Sequence, residues 1–229
     1  MISNRKILIF VEGPSDMITI KALMDSFASA YDENIIVLKG DVFSDWDIKN
    51  VKEHLEVKVN AFCASNGLSI EKDIECIIQV TDSDGCFIVD DKVIHDSSSA
   101  GFTYEDDGIH CMNRDSVIQR NHRKTSNVLG IYDCGNLCGV PFRLYYMSCN
   151  IDHVFHGERN MVYTNKIGAS KRLSYSIRRT PDKYRHLLNS TEIKLGTDYI
   201  SSWKELMKGN ESLNRHTNIS YFLEELDET

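Results

Sequence analysis

With 229 residues the chain is long enough for one sizeable domain, since compact domains mostly hold roughly 100 to 200 residues, and its core needs neither disulfide nor metal. Apolar residues make up 41%, charged residues 26%, and prolines number only three, which excludes disordered, collagenous and membrane classes. The net charge of −8 conceals a division: residues 1–113 sum to −12, residues 114–194 carry fourteen Lys and Arg against six Asp and Glu for +8, and residues 195–229 sum to −4.

Seven cysteines without framework spacing indicate reduced thiols. The early apolar stretch from Ile7 to Val11 is far shorter than the roughly 20 residues that span a bilayer, and it lacks a signal-peptide layout. A cytoplasmic protein without a membrane partner is expected.

Lys6 to Val11 (KILIFV) predicts a strand that stops at Glu12-Gly13-Pro14. Ile20, Leu23, Met24 and Phe27 then repeat at helical spacing, with Pro14 suited to the first turn. Asn34 to Lys39 predicts a second strand, ended by Gly40-Asp41 and followed by a helix marked by Ile48, Val51, Leu55, Val59 and Phe62. A third strand, Ile74 to Val80, ends at Asp82-Ser83-Asp84-Gly85. A fourth, Phe142 to Met147, runs on to Asp152. The alternation predicts an α/β fold, a mostly parallel four-stranded sheet flanked by helices. Residues 86–135 read as an elaborated crossover, helical from Arg114 to Lys124, and the chain beyond Asp152 reads as all helical. The expected organisation is an α/β domain over 1–157 and a helical C-terminal extension over 158–229, basic at its start.

Ligands of open parallel sheets bind beyond the carboxyl ends of the strands. The residues there are acidic: Glu12, Asp41, Asp82, Asp84 and, further on, Asp152. Carboxylates brought together repel unless a cation lies between them, and oxygen-only ligands favour Mg²⁺, or Mn²⁺ in its place. Helix capping is the expected role of Asp16, Asp41, Asp45 and Asp47. The basic segment gathers Arg120, Arg123 and Lys124, then Lys166, Lys171, Arg172, Arg178, Arg179, Lys183 and Arg185, with Tyr163, Tyr175 and Tyr184 among them. Cations interleaved with aromatics suit a polyanion whose bases can stack. The alternative is a solvated helical face that pairs with the acidic half of the same protein.

Ile7 to Asp16 (ILIFVEGPSD), followed seventy positions after Glu12 by Asp82-Ser83-Asp84, resembles the TOPRIM domain shared by DnaG-type primases, topoisomerases, OLD-family nucleases and small RNA-maturation nucleases. The resemblance covers residues 5–90 and, loosely, 140–155. It implies a Mg²⁺-dependent nuclease in which Asp82 and Asp84 are the principal metal ligands and Glu12 is a further ligand or general base. Asp152 occupies the place of a later acidic ligand. Gly13 and Gly40 would permit close approach to a phosphate, and Lys39 would meet it. The substrate expected is nucleic acid, RNA such as tRNA slightly before DNA, and the role a phage-defence effector. A separate ATPase subunit and self-association are the other partners in view, the chain having no ATP-binding loop of its own.

Three other readings stand beside it. Val80 to Gly85 (VTDSDG) resembles the opening motif of haloacid-dehalogenase-type phosphatases, where the first Asp is a nucleophile. A non-catalytic nucleic-acid-binding or partner-regulated subunit is the second. A zinc site from Cys134, Cys138, Cys149, His153 and His156 is the third, against which its irregular spacing argues.

Overall fold

The computed structural model describes residues 5–28, 34–40, 43, 50–99 and 101–227. The chain runs β1 (Lys6–Val11), α1 (Pro14–Phe27), β2 (Ile35–Lys39), α2 (Val51–Ser65), α3 (Ile70–Asp73) and β3 (Ile74–Asp82). Next come β4 (Val93–His95), β5 (Phe102–Tyr104), β6 (Ile109–Cys111), α4 (Arg114–Leu129), β7 (Asn136–Leu137) and β8 (Val140–Met147). Five helices close the chain: α5 (Ile151–His156), α6 (Tyr163–Arg179), α7 (Pro181–Leu188), α8 (Tyr199–Leu206) and α9 (Ile219–Asp227). The readings at Asp41, Asp45, Asp47 and Ile48 fall outside the described residues.

The main sheet has the order β2-β1-β3-β8-β7, and its first four strands are mutually parallel. These are the four strands expected. The short fifth, β7, pairs antiparallel with β8 across a Cys138-Gly139 turn whose φ angles are 52° and 83°. Two successive positive φ values are what a two-residue hairpin turn requires, and cysteine in the first place disguises a signal usually carried by Asn or Asp.

Successive strand residues face opposite layers. Ile7, Ile9 and Val11 of β1 join Ile20, Leu23 and Met24 of α1 on one side, and Leu8 and Phe10 join Val51, Leu55 and Val59 of α2 on the other. The C-terminal helices belong to these same two cores. Leu173, Ile177, Tyr184, Leu188 and Phe222 complete the first, while Trp203 and Leu206 complete the second, with the Trp203 indole N–H donating to Leu144 O at 3.2 Å. The helices of residues 158–227 thus pack into the cores on both faces of the sheet.

The crossover holds more than its helix. β4, β6 and β5 form a three-stranded sheet in that order, and Val93, Tyr104, Ile109 and Cys111 make a third core with Val117 of α4 and Leu213. Strands of three residues leave too little periodicity to read from sequence. This small sheet stands beside the carboxyl end of β3, where it forms one wall of the site.

Candidate active site

Because β1, β3 and β8 lie side by side and parallel, their carboxyl ends meet at one edge. Glu12 Oε1 accepts the Asp82 N–H at 3.1 Å and the Thr81 hydroxyl. Residues seventy positions apart are thereby joined directly. Asp82 Oδ1 in turn accepts the Ile151 N–H at 3.0 Å, tying β3 to the start of α5. The turn after Asp82 is tight: Asp84 and Gly85 have φ of 51° and 65°, and the Asp84 N–H donates to Cys149 O at 2.8 Å. A Cβ at Gly85 would lie 2.4 Å from Leu213 Cδ2, so left-handed backbone and close packing both demand glycine there.

The ammonium of Lys124 lies between two of these acids. Its Nζ is 3.2 Å from Glu12 Oε1 and also contacts Asp84 Oδ2, and the side chain is 2% exposed. Lys124 was expected on a nucleic-acid-binding surface; instead it is buried inside the acid cluster, where the charges of Asp84 and Glu12 overcome burial and raise its pKa. Arg120 is likewise turned inward, donating to Asp84 O at 2.8 Å and to Asn121 Oδ1 at 2.7 Å. A signal for this was present. Val117, Asn121, Lys124 and Val128 share one buried helical face of α4, so Lys124 occupies a position where an apolar residue belongs.

Burial and the neighbouring charges of Asp16, Glu12 and Asp84 raise the Asp82 pKa well above the carboxylate range. Burial pushes Asp84 the same way, but Lys124 and Arg120 outweigh it and its pKa is lowered. Asp16 caps α1 as expected, accepting the Gly13 N–H at 2.8 Å. That bond occupies the amide offered to a phosphate. Gly40 packs on Phe10, whose Cδ1 would stand 2.6 Å from an added Cβ, so close packing rather than ligand approach explains that glycine. Asp152 is 2% exposed and pairs with Lys166 Nζ at 2.7 Å; the Lys166 pKa is raised by Asp152 despite burial.

Glu12, Asp16, Asp82, Asp84 and Asp152 thus gather with Lys124, Arg120 and Lys166 at one end of the sheet. Among the described residues no three His, Cys, Asp or Glu side chains stand close enough to hold one metal ion together. The cysteines and histidines considered for zinc are included in that statement, and burial lowers the His153 pKa to about 4.

Asp82 and Asp84 open onto a cleft of about 380 Å³, also lined by Phe102, Tyr104, Arg159 and Lys166. A broader groove of about 630 Å³ adjoins it through Asn160 and Met161 and carries Arg172. The basic segment is therefore divided. Lys166 and Arg172, on the first part of α6, border the cleft and groove, and Lys171 is exposed beside them. Arg178 lies about 18 Å along that helix from Lys166 and about 9 Å from Arg172 at 1.5 Å per residue, and pairs with Asp25 of α1 at 2.9 Å. Arg179 stacks on Tyr175, Lys183 on Tyr184 and Arg185 on Phe27. For Arg178, the pairing of a basic face with the acidic half describes the contact made. Lys39 is exposed at the end of β2, and Arg123 is half-buried on α4.

No family model, curated protein or solved structure matches this chain. Among the described residues no helix is long and apolar enough to cross a membrane.

Proposed function

We propose that the chain is a metal-dependent nuclease of TOPRIM type that hydrolyses phosphodiester bonds of nucleic acid, with Asp82 and Asp84 as the metal-binding carboxylates. The observation that carries this reading is the convergence of Glu12, Asp82 and Asp84 at the carboxyl edge of a parallel sheet, beside a cleft also lined by Arg159 and Lys166. Like charges crowded at a strand end are poor structural material and are retained where they serve chemistry.

The residues present fit Mg²⁺ or Mn²⁺. The donors are oxygen only, and Mg²⁺ commonly takes one or two carboxylates while keeping several waters. A bound divalent ion supplies Lewis acidity at a phosphoryl oxygen. The chain's own residues do the rest. Lys166 and Arg159 attract the phosphate to the cleft. Three donors, from Thr81, Asp82 and Lys124, converge on Glu12 Oε1, which saturates that oxygen. Through that oxygen Glu12 positions Lys124 and the turn at Asp82. Asp152, held by Lys166, supports the wall of the site rather than its floor.

Incubating the purified chain with end-labelled single-stranded and structured RNA and DNA under a Mg²⁺ and Mn²⁺ titration tests this. Asp82→Asn and Asp84→Asn should each abolish cleavage and weaken Mn²⁺ binding, read separately by electron paramagnetic resonance, while the folded circular-dichroism spectrum persists. Cleavage and Mn²⁺ binding unchanged in both variants would overturn the assignment. Trapping of a phosphoenzyme on Asp82 would instead favour a phosphatase.

A further inference from the structure

The small inserted sheet places an aromatic ring in the cleft. Phe102, on the edge strand β5, is 43% exposed and lines the same cleft as Asp82 and Asp84. An isolated surface phenylalanine is ordinary. This one is braced from two directions. The Arg120 guanidinium lies 4.5 Å from the ring centroid, and Tyr104 meets the ring edge-on at 5.5 Å and 69°. The same Arg120 donates to Asp84 O, and the Tyr104 hydroxyl donates to Asp84 Oδ1 at 3.0 Å. Ring and carboxylate are therefore fixed to one another through two shared supports.

We infer that Phe102 is a stacking platform for an unpaired nucleobase, so that the cleft takes single-stranded nucleic acid next to the scissile phosphate. The inference rests on the nuclease reading and adds the substrate's strandedness. Every base offers a π-face, and a ring with a cation against it forms a preset surface on which a base stacks without sequence preference. A cleft of about 380 Å³ falls within the range of pockets that enclose a small ligand, room for one unpaired nucleotide beside the carboxylates. Arg159 and Lys166 in the same cleft supply charge for the neighbouring phosphates.

The test uses the full chain in EDTA, which suppresses cutting, with single-stranded RNA and DNA oligomers carrying one 2-aminopurine and with the matching duplexes. Wild type should bind both single strands and quench 2-aminopurine. Phe102→Leu, which keeps apolar bulk without the π-face, should lose the quench and bind single strands roughly tenfold more weakly, the scale of one base–aromatic stack. Phe102→Trp should retain both. Duplex binding should be weak in wild type and insensitive to either change. If Phe102→Leu quenches and binds single strands as wild type does, or if single-strand and duplex affinities fall together, the platform is refuted while the nuclease reading survives. If wild type binds no nucleic acid of any kind, both fail.

Discussion

Lys124→Met isolates what the buried ammonium does. Methionine fills the same volume and removes the charge, leaving Glu12 and Asp84 facing each other with side chains only 15% and 24% exposed. Removing one partner of a buried ion pair costs about 3–5 kcal/mol, and the partial exposure of both carboxylates places this case near the lower end. For a protein of this size 1 kcal/mol moves Tm by about 2–4 °C, so a loss of roughly 6–12 °C is expected by differential scanning fluorimetry at neutral pH. The two carboxylates then lack their cation, and 5 mM Mg²⁺ or Mn²⁺ should restore more of Tm in the variant than it adds to wild type. A surface lysine that merely held phosphates would alter the salt dependence of binding and leave Tm in place. A loss of less than about 2 °C would refute the role of Lys124 as counter-ion of the cluster.

Asp82→Asn should abolish cleavage yet raise Tm by a few degrees, a gain of about 1 kcal/mol, because it relieves repulsion with Asp16, Glu12 and Asp84 while keeping an acceptor for the Ile151 N–H. A lower Tm by calorimetry would show that the charge is structural. Lys171→Gln with Arg172→Gln should reduce the slope of log affinity against log salt by about 1 to 2, and Arg178→Gln with Arg179→Gln by less, measured by fluorescence anisotropy. Equal slopes for the two pairs would place the distal cluster on the binding surface as well. Burial would raise the Asp25 pKa, but the Lys21 and Arg178 cations outweigh it and hold it below the usual value. The stability it contributes is therefore present above the unfolded carboxylate pKa near 4 and is lost as pH falls through the lower folded value. Asp25→Asn should flatten that acid limb by less than about 1 kcal/mol in urea titrations, given the exposure of Arg178.

The four parallel strands were legible because each is a largely apolar run ended by a turn, a pattern that depends on local composition alone, even in the edge strand β2, where only Ile35 is buried. The acids were legible for the same reason: a strand end can be located without knowing what lies across from it. Cations do not announce their partners in this way. Lys124 and Arg120 read as members of a basic surface, because charge counted along the chain takes no account of which way a helix face turns. Only the placing of α4 at the carboxyl ends of β1 and β3 turned Lys124 inward, and its place among Val117, Asn121 and Val128 was the one local trace of that outcome.

Composition and periodicity alone determined the succession of main-sheet strands along the chain, most of the helices between them, and the position of Glu12, Asp82 and Asp84 each at or just past a strand end. Tertiary structure decided which charges neutralise which, that residues 158–227 close both cores, and that Phe102 lines the cleft from a sheet of three-residue strands. The physical reason is range: backbone propensity and burial patterns act within a few residues, whereas ion pairing and the walls of a cleft join side chains tens of residues apart, such as Glu12 and Lys124.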